Sequence, residues 1–267
     1  MNNKVYLTTL ATLVQLLFAG VVTAQIHEGD TLRFQVRSAL TGSYQTGNVD
    51  LLAIRGKLDA VVKCTPDVVF KSQNNQLYQA FYGKKADNDM FSRNYLYYKP
   101  HQKVYPYAMA YLSTNFRRKV QLRYFVGGGA TYQLIHNKST VLKLSANAVY
   151  EQSRFSAQTF NDTYYNGSDQ ITVWRASVFT YGSTRLFHRR MRVYYDAFWQ
   201  PAFRRSNNYR TQVDLGVELP VWKGLSFNAV FAYTRENVVP TGTVTTDQLL
   251  SFGVSYYFAP ATSTTNR

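Results

Sequence analysis

The sequence predicts an all-β fold, an antiparallel up-and-down transmembrane β-barrel of about twelve strands, with ten as the lower count. Three observations carry this. Apolar and polar residues alternate with period two along much of the chain, and helical periodicity is almost absent. Runs such as 120–134 exceed the roughly 5 to 6 residues of soluble strands and the roughly 9 to 11 that a tilted strand needs to cross a bilayer. Mid-strand charges fall on the face opposite the apolar one, which in a membrane barrel is the lumen.

Residues 1–24 read as a secretory signal. Lys4 opens a short basic start, 7–24 is mostly apolar, and Val22 and Ala24 are small residues preceding Gln25, so cleavage is expected after Ala24. An uncleaved anchor helix is the alternative, because about 20 apolar residues span a bilayer. No cysteine directly follows the apolar stretch, which excludes lipoprotein processing. The barrel then occupies 25–258, with 259–267 as a C-terminal tail.

The expected strands are 31–44, 49–63, 67–82, 90–99, 103–114, 119–135, 139–152, 169–183, 189–201, 208–219, 224–235 and 246–258. The first carries Arg33 and Arg37 on one parity, and the second Arg55, Lys57 and Asp59. The third, fourth and eighth alternate least regularly. The sixth is the cleanest, setting Leu122, Tyr124 and Val126 against Gln121, Arg123 and Phe125. The seventh places Lys143 and Glu151 opposite its apolar face, and the ninth Arg192 and Asp196. In the tenth, Val213, Leu215, Val217 and Leu219 oppose Gln212, Asp214, Gly216 and Glu218. The eleventh sets Leu225, Phe227 and Phe231 against Ser226 and Asn228. The last runs through Leu250, Phe252, Val254, Tyr256 and Phe258. These twelve charges, Arg33 to Glu218, are the expected lumen lining.

An even strand number puts both ends of the barrel on one side, and the longest expected connections, 83–89, 153–168 and 236–245, all fall on the other, outer side. The aromatic content of 22 Tyr, 17 Phe and 3 Trp then has a cause, because amphipathic rings settle at the two headgroup levels. Tyr44, Tyr150, Trp199 and Tyr233 are expected near outer strand ends, and Tyr105, Tyr132, Trp222, Tyr256 and Phe258 near inner ones. The triplet Gly127-Gly128-Gly129 reads as strand coiling or close backbone packing, with a wide place in the pore as the other reading.

In that order, several residues resemble the salt-induced outer-membrane protein family (YdiY-like), bacterial barrels with a domain of unknown function. They are Thr46-Gly47-Asn48 at the first hairpin, Val104-Tyr105-Pro106-Tyr107-Ala108, then Arg123 with Gly127, Gly129 and Tyr132, and the terminal Gly253-Val254-Ser255-Tyr256-Tyr257-Phe258. The resemblance implies an integral outer-membrane barrel and no established activity. The terminal strand looks like the signal read by the outer-membrane assembly machinery, although the 259–267 tail follows it.

Chemistry narrows the function. His27, His101, His136 and His188 lie in scattered polar positions, so neither an acid–base pair nor a metal cluster is expected; no cofactor and no enzymatic activity follow. Cys64 alone makes no disulfide. Without Lys4, 29 basic residues face 15 acidic ones. With basic side chains on the inward face, this favours passage of a small anionic solute through a narrow, porin-like lumen. The competing expectation is a lumen plugged by ion pairs, giving a structural, envelope-stress or surface-binding barrel. A soluble periplasmic β-protein binding an apolar ligand is a third reading, in which the apolar faces would form a core. Arg117, Arg118, Arg204 and Arg205 on outer turns are expected to meet lipopolysaccharide phosphates. The aromatic 153–168 loop is expected to cap the mouth or touch a partner. No nucleic-acid partner is expected, since no recognition helix presents the basic residues.

Overall fold

The computed structural model describes residues 28, 33–46, 50–137, 139–188, 190–222 and 224–258. The signal segment with its cleavage point, His27, Gly47-Asn48 and the tail lie outside them. Twelve antiparallel strands close on themselves: β1 (Phe34–Gln45), β2 (Leu51–Lys63), β3 (Val68–Phe81), β4 (Lys84–Tyr98), β5 (Val104–Asn115), β6 (Val120–His136), β7 (Thr140–Phe155), β8 (Gln170–Leu186), β9 (Met191–Pro201), β10 (Tyr209–Trp222), β11 (Leu225–Glu236) and β12 (Thr246–Phe258). Each strand pairs with its chain neighbours, and β1 also pairs with β12, Ser38 opposite Tyr256. Closure leaves no edge strand unsatisfied, the condition for β-structure in lipid.

Burial alternates as a barrel requires. In β7, Lys143, Val149 and Glu151 are buried and inward, whereas Leu144 is exposed. The outward residues Leu40, Ile54, Val126, Leu215, Phe227 and Phe252 are all exposed. A water-soluble protein would bury these faces, and the soluble reading needed them as its core; a lipid-facing wall leaves them outside.

The expected outer loop 83–89 is a correction. The hairpin is the two-residue turn Tyr82-Gly83, with both φ values positive (47° and 70°), and β4 starts at Lys84. That mirror-image turn suits the strand twist. The start of β4 was hidden because Asp87 and Asp89 point inward while Asn88 points outward, so both faces are polar and no alternation appears. The long connections that remain, 156–169, 202–208 and 237–245, all lie on the side opposite the start of β1 and the end of β12, the side that carries the longer, extracellular loops in bacterial outer-membrane barrels.

Gly127 and Gly129 face inward on β6. A Cβ at Gly129 would run into the Ala146 carbonyl oxygen and come within 2.6 Å of Asn147 Cα. The glycines therefore permit close backbone packing of β6 on β7 and do not widen a pore. Gly129→Val is expected to lose at least about 1–3 kcal/mol from overpacking. The check is the temperature at which the folded, fast-migrating band is lost on a gel; outward-facing Gly128→Ala is expected to fall much less.

Candidate functional site

The lumen is built in three levels. At the outer level, β6, β7, β8, β10 and β11 bring Arg123, Glu151, Arg175, Arg210 and Glu236 together. Glu151 sits among three guanidinium groups: Arg175 Nε donates to it at 2.8 Å, Arg210 Nη2 also donates to it, and Arg123 Nε lies 3.7 Å away. Arg123 grips Glu236 with both Nη atoms, at 2.8 and 2.9 Å, and donates to Ser153 at 2.9 Å. Arg118 adds Asp247 at 2.6 Å. Arg175 also donates to the Asn208 carbonyl and side chain, at 2.8 Å each. Burying so many charges is favourable only when each is paired and hydrogen-bonded, as here. This belt is a structural fastening across five strands.

Above the belt, the two longest outer loops lean on each other. Phe160 bridges to Pro240 and packs with Phe155, Ile171, Val120 and Val238, and Asn161 donates to the Asn237 carbonyl at 2.8 Å. Arg205 stacks over Tyr164, 3.9 Å from the ring centre. The 156–169 loop thus folds back over the mouth.

The middle level is the waist. Arg55 and Lys57 on β2 and Arg93 on β4 face Asp196 on β9 and Asp214 on β10. These five line both of two lumen cavities, about 210 Å³ on the outer side and about 180 Å³ on the inner. Basic side chains thus predominate on one wall and acidic ones on the opposite wall, with Asp59 on β2 lining the inner cavity and Asp89 on β4 the outer one on the basic side. Arg93 lies 3.8 Å from Asp196, and Gln212 donates to Asp214 at 2.9 Å. Arg55 and Lys57 form no ion pair within 4.0 Å among the described residues, Asp214 acting on both, Asp89 on Arg55 and Asp59 on Lys57 from farther off, and the buried Nε of Arg55 has no hydrogen-bond partner.

The inner level has two sides. On one, Arg37 and Arg192 share Glu218 at 3.1 and 2.6 Å, Ser255 donates to it at 2.9 Å, and the Tyr194 ring lies beside both guanidiniums. On the other, the carboxylate of Glu28, from the segment before β1, is held by Lys143 at 2.8 Å, the Tyr105 hydroxyl at 2.7 Å and the Tyr181 hydroxyl, with Lys71 at 3.5 Å. Tyr95, Tyr97, Tyr107 and Phe179 pack around this cluster and fill that half of the lumen.

Of the expected lumen charges, Arg37, Arg55, Lys57, Asp59, Arg123, Lys143, Glu151, Arg192, Asp196, Asp214 and Glu218 point inward. Arg33 does not: it precedes β1 and is exposed at the inner rim, because the strand begins three residues later than expected. Tyr105 is the second correction. It is 0% exposed inside the lumen, on the inward parity of β5, where its hydroxyl is needed by Glu28. Tyr44, Tyr132, Trp199, Trp222 and Phe258 are exposed on the outer wall. Tyr150, Tyr233 and Tyr256 are half-buried, with Tyr150 edge-on to Trp174. A third correction concerns Arg118, which is buried in the belt and not offered to lipopolysaccharide; Arg117 pairs with Asp87 at 2.6 Å. Sequence reasoning missed Arg175, Arg210, Glu236, Lys71, Arg93 and Glu28. Arg210 was findable, since it shares its parity with Asp214 and Glu218.

The surplus of positive charge lies at the rims more than in the lumen. At the inner rim Arg33, Lys63, Lys99, Lys103, Arg185 and Arg190 meet Asp67 as their one acid among the described residues.

A closed barrel with an apolar exterior and a charged interior is the architecture of an outer-membrane protein. The family model described as "Protein of unknown function, DUF481" matches residues 39–258, and the chain belongs to that family. No curated protein matches it in sequence. Among solved structures it is similar to the NanC porin (11% identity, 84% of this chain and 98% of that one, TM-score 0.47). It is also similar to the translocator domain of autotransporter NalP from Neisseria meningitidis (9%, 96% and 95%, TM-score 0.45). A third likeness is to the COG4313 outer membrane channel from Pseudomonas putida F1 (12%, 88% and 100%, TM-score 0.44). At such identities and TM-scores these likenesses say nothing of solute, partner or role.

Proposed function

We propose that this protein is a narrow, non-enzymatic outer-membrane channel that favours small anions. The observation that carries the reading is the waist, where Arg55 and Lys57 face the space between two cavities with no carboxylate within 4.0 Å among the described residues. Desolvated cations held only by carboxylates farther than an ion pair are costly. A passing anion offsets that cost, whereas a passing cation adds to it. The basic inner rim supports the same preference by raising the local anion concentration. In this account the chain is exported by its N-terminal segment with cleavage after Ala24. Its last strand engages the assembly machinery, and Arg204 at the outer rim meets lipopolysaccharide phosphate.

Swelling of liposomes carrying the protein tests this. A small sugar acid is expected to enter faster than the uncharged sugar of the same size, and the amino sugar more slowly. Equal rates for all three overturn the preference. A second reading, a plugged structural or envelope-stress barrel, is favoured by the Glu28 cluster and the rings that fill half of the inner lumen. It predicts no swelling with any of the three.

A further inference from the structure

One stretch of the outer wall is chemically out of place. Mid-strand lipid-facing positions elsewhere are mostly apolar, as at Leu144, Val178, Leu215 and Phe252. On β3 and β4 the corresponding positions are Ser72, Asn74, Gln76, Ser92 and Asn94. Register sets Ser72 opposite Asn94 and Asn74 opposite Ser92, so the five form one patch at the middle of the wall, flanked by Leu58 on β2 and Leu112 on β5. Internal hydrogen bonding is thin. Asn74 donates to Ser72 at 2.9 Å and, at 3.4 Å, to the Leu58 carbonyl, and Asn94 donates to Ser92 at 3.0 Å, while Gln76 makes no side-chain hydrogen bond among the described residues. Acyl chains cannot satisfy the remaining amide groups, and polar side chains in a membrane act as association points.

We propose that this β3–β4 face is the interface with a second copy of the same chain in the membrane. Its depth excludes a soluble partner. Every group in the patch is neutral, and each amide carries both a donor and an acceptor, so the surface is complementary to itself about a two-fold axis along the membrane normal. A partner recognised by charge would find no counter-charge here. Close approach is open as well, since Gly56 beside Gln76 and Ala110 beside Asn94 are small, and a Cβ at Gly56 would touch nothing within 4 Å.

The test is oxidation of Gln76→Cys in isolated outer membranes, on a Cys64→Ser background that removes the exposed native thiol. A disulfide-linked dimer is expected, and none from Leu215→Cys on the opposite wall. Asn74→Leu with Asn94→Leu is expected to abolish the dimer while the protein keeps its heat-dependent gel shift, which separates lost association from lost folding. Native mass spectrometry of the unmodified protein in mild detergent gives an independent reading, with twice the chain mass expected. Monomer in both experiments overturns the proposal. So does equal cross-linking at both cysteine positions, or an adduct with a protein of another mass.

Discussion

Glu151→Ala is expected to destabilise the barrel by about 3–5 kcal/mol, the cost of leaving buried charges without a partner. Its carboxylate lies among Arg123, Arg175 and Arg210, all buried, and among the described residues only Arg123 has a second carboxylate, Glu236, within salt-bridge distance. Removal leaves Arg175 with the Asn208 oxygens and Arg210 with Gln200 as neutral acceptors. The outer parts of β6, β8 and β10, which carry Arg123, Arg175 and Arg210, are then pushed apart by like charges where Glu151 on β7 clamped them. Denaturant unfolding followed by the fluorescence of Trp174, Trp199 and Trp222 checks this. The contrast is Asp162→Asn, whose ion pair with Arg205 is a 4.0 Å contact at the surface and is worth about 0–1 kcal/mol. A small loss at Glu151 would mean that water or relaxation supports the arginines.

The second large effect is on selectivity. Arg55→Glu with Lys57→Glu is expected to turn the proposed anion preference into a cation preference, because β2 then adds two carboxylates to Asp196 and Asp214 and leaves Arg93 as the basic side chain among the five at the waist. The neutral pair Arg55→Gln and Lys57→Gln is expected to weaken the preference without lowering stability, since neither side chain leaves a carboxylate behind within 4.0 Å. Reversal potentials in planar bilayers read the first effect, and the gel-shift temperature reads the second. Unchanged selectivity in the charge-reversed protein would move the selecting element to the rim.

What could be read in the sequence follows from which side chains alternate. Twelve strands, their order and most of the inward charges were legible because a lipid-facing residue and its neighbour differ sharply in polarity, as with Leu144 beside Lys143. The same signal failed on β4, where Asn88 and Asn94 face outward and Asp87 and Asp89 inward. It failed again on β8, where Arg175 and Phe179 share the inward face. Tyr105 misled for a related reason. A tyrosine near a strand end fits both a headgroup girdle and a lumen core, and its inward parity on β5 gave way to the girdle expectation. The partners of each charge were not legible at all, since Arg123–Glu236 and Lys143–Glu28 join residues far apart in the chain. The waist is therefore a product of closure: register places β2 and β4 across from β9 and β10, and no local pattern announces it.

The central claim, a lumen that selects small anions at Arg55 and Lys57, is tested most directly by the reversal potential of the unmodified protein in a planar bilayer under a potassium chloride gradient. The account predicts measurable conductance with a reversal potential of the sign set by chloride. A reversal potential of the sign set by potassium, or no conductance from protein shown to be folded by its gel shift, would contradict it.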